Sequence, residues 1–253
     1  MPITAGVLSR SSDRKVTNLV SPDGKSAKGA NSFGLPSGTG FSCPGATSFC
    51  EKICYAGKLE KVYTGVRNIL MHNWDLLNGA SLFDMTTLLD NMISEFVFET
   101  ETQVAKGKSA TFDFRIHWDG DFFSRKYAVA WAAVIEKYSN VTFWVYTRSF
   151  TGPVNVIDIL AGIPNLRLYL SADPVNIAEA NRVAADYPGV LIATVADTFA
   201  EARETIVDST RKTYPCPENG KRIPLISTKG SACISCGVCP KGRGDVLFSV
   251  KKK

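Results

Sequence analysis

The chain has 253 residues, of which 45% are hydrophobic and 21% charged, with 20 Gly and 12 Pro. This is enough apolar material for a full-sized core, in one large domain or two small ones, and it excludes a disordered or fibrous class. No run of 18 apolar residues occurs, which excludes a membrane-spanning helix, and the N-terminal stretch lacks the apolar core of a secretory signal, so a cytoplasmic protein with no membrane partner is expected. The net charge of +5 is mild and draws partly on Lys251, Lys252 and Lys253; it permits contact with nucleic acid without indicating it.

Residues 1–42 are rich in Ser, Gly, Asn and Lys, and they read as an irregular segment ahead of a single domain over 43–253. From Lys58 the pattern becomes helical: Leu59, Val62, Val66, Ile69, Leu70 and Leu77 recur at helical spacing. His72 in this stretch reads as structural. A second helix is expected over 82–103, and Gly107 ends it. Strands and helices then alternate. Strands are expected over 111–116, 141–147, 166–171 and 190–195, followed by helices over 124–138, 154–160, 175–186 and 198–207. A fifth strand is expected over 223–227. This rhythm predicts βα units and a parallel sheet.

With right-handed crossovers, two architectures remain: an open doubly wound sheet, or a partial or complete (β/α) TIM-like barrel. The strands are not apolar on both sides. Phe112, Phe114 and Ile116 alternate with Asp113, Arg115 and His117. Phe143, Val145 and Thr147 alternate with Trp144, Tyr146 and Arg148, and Leu166, Leu168 and Leu170 with Arg167, Tyr169 and Ser171. A barrel with a polar interior and fewer than eight units explains this pattern best.

Seven cysteines in a reducing compartment point to metal ligation or catalysis rather than disulfides. Cys233, Cys236 and Cys239 form two successive C-x2-C steps followed by Pro240, with Gly237 free to take the left-handed turn this needs. Three thiolates on one tight turn point to a [4Fe–4S] cluster, because zinc sites usually offer thiolates as two separated pairs. Zinc remains the alternative. The fourth ligand is expected from Cys216, or from the N-terminal group Cys43, Cys50 and Cys54, whose C-x6-C-x3-C spacing matches neither a zinc finger nor a ferredoxin. Seven thiols allow one four-ligand cluster with three spare, or a four-ligand cluster beside a three-ligand cluster with an open iron.

Chemistry in parallel α/β proteins collects at the carboxyl ends of strands. Those ends carry Arg115, His117, Asp119 and Asp121, then Thr147 and Arg148, then Asp173, then Asp197. The fifth strand runs through Lys229 towards Cys233. The expectation is therefore one strand-exit mouth that gathers both cysteine loops, with Arg115, His117, Asp121 and Arg148 as candidate catalytic residues. Asp121 or Ser124 is also placed to cap the following helix. Trp118, Phe122, Phe123 and Trp131 read as packing residues.

With these residues in hand, the chain resembles the phage gene product 88 family. The resemblance rests on Phe33-Gly-Leu-Pro36 leading to Cys43-Pro-Gly-Ala, on Cys50-x3-Cys54-Tyr-Ala, on Arg115-Ile-His117-x2-Gly120-Asp121-Phe-Phe-Ser124, on Tyr146-Thr-Arg148-Ser, and on Cys233-x2-Cys236-x2-Cys239-Pro. It implies a phage protein working in the cytoplasm of the infected cell, and it hands over no catalytic residue. A further likeness, to radical S-adenosylmethionine barrels, comes from Cys50-x3-Cys54-Tyr55 and the partial barrel; the third cysteine position of that motif falls on Gly57. Three functions follow as expectations: an iron–sulfur protein in electron transfer with a redox partner, an enzyme that binds a small-molecule substrate or S-adenosylmethionine at an open cluster iron, and a zinc-stabilised nucleic-acid-binding module.

Overall fold

A computed structural model describes residues 3–17, 19–20, 29–227 and 230–251; Thr228 and Lys229, and Lys252 and Lys253 of the basic tail, lie outside them. In chain order, β1 (Leu19–Val20) pairs later with β3, and β2 (Ser32–Gly34) opens the main sheet. The short helix α1 (Ser48–Ile53) leads into α2 (Tyr55–Val62), α3 (Thr64–Leu77) and α4 (Leu82–Ala105). After β3 (Ser109–Ala110) come β4 (Asp113–Asp119), α5 (Arg125–Lys137), β5 (Thr142–Thr147), a 3-10 turn, α6 (Ile157–Leu160), β6 (Leu166–Ala172), α7 (Ile177–Asp186), β7 (Leu191–Ala196) and α8 (Phe199–Glu204). The chain ends through β8 (Thr213–Pro215), the small hairpin of β9 (Ile226–Ser227) and β10 (Gly230–Ser231), the one-turn helix α9 (Ala232–Cys236), and β11 (Asp245–Ser249). Among the described residues no helix is long and apolar enough to cross a membrane.

The helices form where the apolar stripe demands it. In α4, Met85, Leu89, Met92, Ile93 and Phe96 are buried at spacings of three and four, and Ser81 caps the first turn through the Asp84 amide. In α5, Tyr127, Trp131, Val134 and Ile135 do the same, and Ser124 rather than Asp121 is the cap. These stripes pack on Phe114, Ile116, Phe143, Val145, Leu168, Leu170 and Ile192 in one large core.

The main sheet has seven strands in the order β2-β4-β5-β6-β7-β11-β8, and every pairing is parallel. Strands β2 to β7 advance in one direction, so right-handed crossovers put their helices on one face. This is a singly wound α/β sheet, and it does not close: β2 and β8 are its free edges. The expected barrel is corrected to an open sheet. Both edge strands are only three residues long, and the face a barrel would turn inward is covered by the chain itself.

That cover follows from the same handedness rule. The step from β8 back to β11 runs against the direction of all earlier steps. Its right-handed crossover must therefore pass over the opposite face, and this crossover, residues 216–244, carries four cysteines. The expected strand over 223–227 survives only as β9, in a two-stranded antiparallel pair outside the main sheet. The strands actually used, β8 and β11, are only three and five residues long, too short for alternation to reveal them. Within the expected irregular segment 1–42, Ser32–Gly34 forms the β2 edge strand, and Phe33 and Leu35 enter the core.

Candidate metal centre

Cys216, Cys233, Cys236 and Cys239 line one cavity, together with Tyr214, Pro215, Val238 and Val246. Cys216 follows directly on β8, and its amide bonds to the Leu247 carbonyl of β11 at 2.9 Å. Cys233 and Cys236 are presented by α9. Gly237 then turns left-handed (φ 65°), donates to the Cys233 carbonyl at 2.8 Å, and brings Cys239 round to the same cavity. All four thiols are free and half-buried. Cys233 feels the charge of Cys216 and Cys239, and Cys239 that of Cys216 and Cys236.

The cavity rests on the open face of the sheet, where Tyr169, Ala193, Val238 and Val246 form a small second core, with Tyr146 and Phe248 at its margin. The Tyr146 hydroxyl lies close to the Cys239 thiol, and the Asn219 amide donates to the Cys216 sulfur at 3.5 Å. Arg115 lies over the Tyr146 ring at 5.4 Å, pairs with Asp13 at 3.4 Å, and is in electrostatic reach of Cys233 and Cys239. A strap from the N-terminal segment closes the side: the Lys15 carbonyl accepts from the Cys233 amide at 2.9 Å, and Lys15 pairs with Glu218 at 2.7 Å.

The donor set fits a metal–sulfur group. Four thiols face an almost wholly apolar cavity that offers water few partners, and burial pushes the Cys239 thiol up to about 12 and raises Cys233 and Cys216 as well. Such thiols stay protonated unless a metal deprotonates them. Among the described residues no group of three or more His, Cys, Asp or Glu side chains is drawn together tightly enough to hold a metal ion as they stand.

The other three cysteines lie elsewhere, over the carboxyl ends of β4, β5 and β6. The Ser42 hydroxyl accepts from the Asp121 amide at 3.2 Å, placing Cys43 there. Thr47 caps α1 by accepting from the Cys50 amide, and its hydroxyl donates to Asp173. Cys54 caps α2, its sulfur accepting from the Gly57 amide at 3.3 Å. Around them, Asp121 accepts from the Thr147 hydroxyl, the Arg148 amide and the Phe122 amide at 2.6–2.7 Å. Arg148 pairs with the fully buried Asp173 at 2.6 Å. Burial raises the Asp121 carboxyl to about 6.

Of the seven cysteines, Cys216, Cys233, Cys236 and Cys239 line the cavity and Cys43, Cys50 and Cys54 do not. Arg115 lies between the two groups, near Tyr55 beside Cys54 and near Cys233 and Cys239, while Asp121 and Arg148 lie by Cys50. His117 belongs with neither. Its φ of 57° breaks the strand alternation and turns the ring to the helix side, where Nε2 meets the Tyr127 hydroxyl at 3.0 Å among Phe33, Phe122 and Trp131. Burial, aided by Arg115, lowers its pKa to about 3, so it is a neutral packing residue. Asp119 is also buried and is raised to about 9 by burial and by Glu60. His72 bonds the Val7 carbonyl and is structural, as expected. The residues not anticipated are Asp13, Lys15 and Glu60; each is brought to its partner by chain distant in sequence, and no local pattern marks them.

Fold and site together define a singly wound parallel α/β protein with a cysteine-lined cavity on its open face and a cysteine loop across its strand exits. A family model described as Gene product 88 matches residues 7–242, and the chain belongs to that family. It is similar to the Gene 88 protein of Mycobacterium phage L5, 51% identical over 249 residues that cover 97% of this chain and 99% of the relative. The Gene 88 protein of Mycobacterium phage D29 is 50% identical over 250 residues, with the same coverage. No solved structure matches.

Proposed function

We propose that this phage-family protein holds a [4Fe–4S] cluster on Cys216, Cys233, Cys236 and Cys239 and serves one-electron transfer with a redox partner. The observation that carries this reading is the convergence of four thiols, from two separate stretches of chain, on one apolar cavity. When bound, the cluster supplies a one-electron couple. The chain's own residues do the rest. The thiols give up their protons on ligation, so loading is favoured at higher pH. The Asn219 amide hydrogen-bonds to the Cys216 sulfur, with the Tyr146 hydroxyl near Cys239, and Arg115 places positive charge beside them; a donor to sulfur and a nearby cation both favour the more negative, reduced state. The apolar walls exclude water.

Anaerobic purification with iron, sulfide and zinc analysis tests this. A brown protein is expected, and the Cys233→Ser/Cys239→Ser double variant should lose about four irons and four sulfides per chain. A colourless protein with one zinc and no sulfide would overturn the proposal and leave a zinc-stabilised module, whose nucleic-acid affinity would fall steeply with salt.

A further inference from the structure

We propose that the turn Lys241-Gly242-Arg243-Gly244, with its neighbours Arg167 and Lys212, is the docking surface for the redox partner, and that this partner is an acidic protein electron carrier. The inference rests on the iron–sulfur reading of the cavity for what is exchanged. Where the partner sits rests on separate residues.

The turn follows Cys239 and Pro240. The Gly242 amide donates to the Cys239 carbonyl at 3.2 Å, and the Arg243 amide to the Val238 carbonyl at 3.1 Å. Its two glycines let it lie close against the starts of two strands. A Cβ on Gly242, whose φ is 58°, would come within 2.6 Å of the Arg167 Cδ at the start of β6. A Cβ on Gly244 would strike the Lys212 carbonyl just before β8. On the other side, the Lys241 stem lies against Gly237, between Cys236 and Cys239. Four cations are thereby gathered at one end of the sheet, beside the turn that brings Cys239 to the cavity.

Lys212, Lys241 and Arg243 are exposed and Arg167 is half-buried. None of the four is in an ion pair among the described residues. Asp113 reaches Lys241 only electrostatically, and the neighbouring Asp245 is taken by Arg211 at 2.6 Å. An unpaired cationic surface attracts an anionic one and orients it during encounter. Cations confined to one turn and two strand starts suit a compact acidic face. A nucleic-acid backbone instead draws its affinity from phosphate contacts repeated along its length. A partner seated here touches the turn whose backbone is bonded to Cys239. In the exchange, one electron leaves the partner's redox centre and enters the proposed cluster; no bond forms or breaks.

The test uses the full chain, purified anaerobically with its iron loaded, as wild type, Lys241→Glu/Arg243→Glu and Lys106→Glu/Lys108→Glu. The last variant makes the same change of charge on two exposed lysines at the end of α4. Iron content and the EPR spectrum check that each protein is equally loaded. The probe is a flavodoxin, a small acidic one-electron carrier. Calorimetric titration with its oxidised form reads binding while no electron moves, and stopped-flow mixing with its hydroquinone reads transfer. At ~10 mM ionic strength, Lys241→Glu/Arg243→Glu should weaken binding and slow transfer at least tenfold and the other variant less than twofold; the difference should vanish near ~1 M salt, where the screening length is about 3 Å. Equal loss in both variants would show that net charge alone matters, and no loss in either would place the partner elsewhere. Either result, with the iron loaded, would overturn this inference and leave the proposed function standing. Wild type that binds no flavodoxin would overturn it as well, and a DNA duplex bound instead, and released by Lys241→Glu/Arg243→Glu, would give the surface to nucleic acid. A colourless wild type would end both proposals.

Discussion

Arg115 shows how one side chain takes its meaning from what lies above it. It is held by Asp13 and the Tyr146 ring, below Cys233 and Cys239. In the proposed cluster, a fixed positive charge there would favour the reduced form. Arg115→Gln should lower the midpoint potential on the order of 60 mV, a tenfold change in a one-electron equilibrium, as measured by EPR-monitored titration; an unchanged potential would remove Arg115 from the site. His117 is the opposite case, a residue whose environment withdraws it from chemistry. Its pKa falls from the ordinary 6.5 to about 3 on folding. The unfolded chain therefore binds more protons below pH 6.5, and the neutral ring's contribution is intact above that value and declines below it. Asp119 and Asp121 are raised and act in the other direction, gaining stability as pH falls. The comparison is best made against His117→Asn, which tolerates the left-handed backbone. From pH 7.5 to 5.5 wild type should lose about 1.4 kcal/mol relative to the variant, measured by urea denaturation. Parallel curves would mean that His117 titrates normally.

Among the elements, the two cysteine carriers have different supports. The C-terminal one is a one-turn helix and a left-handed turn, legible from C-x2-C-x2-C and Gly237 alone. The N-terminal one is a loop whose shape comes from the strand ends beneath it. Gly45→Ala forces a methyl group onto the Arg148 carbonyl and should cost about 1–3 kcal/mol by crowding. Thermal unfolding should show this loss as a lower midpoint; an unchanged midpoint would show that the loop can give way at Gly45 without cost. Most of the helices and central strands were readable because their apolar periods are long and regular. The alternation of β4 predicted the two faces correctly as far as Ile116 and failed at His117, where a backbone turn reversed the side-chain direction. Strands β8 and β11 escaped detection because three- and five-residue strands beside a loop carry too little periodicity to register.

Across the whole molecule, charge is unevenly placed. Residues 211–243 carry seven cationic side chains against the single Glu218, a net +6 that exceeds the +5 of the entire chain. The proposed cubane on four thiolates would add about −2 and so relieve this repulsion. The apolar contacts there are few, a small core around Tyr169, Ala193, Val238 and Val246. Removing iron with a chelator should therefore loosen residues 216–244 before the main core. Trypsin should then cut at the exposed Lys221, Arg222 or Lys241 at least tenfold faster than in the loaded protein, with residues 113–196 still resistant. Equal cutting rates would show that the segment holds itself.

Local sequence by itself determined the βα rhythm, the two-faced strands and the cysteine turn, because each depends on residues within a few positions of one another. Only the tertiary structure decided that the sheet stays open and that the seven thiols divide into four and three. Both outcomes depend on where β8 and β11 enter the sheet. Inserting β11 inside β8 reverses the direction of the last crossover, and handedness then carries Cys216, Cys233, Cys236 and Cys239 onto the face opposite the helices, away from the strand exits where Cys43, Cys50 and Cys54 remain.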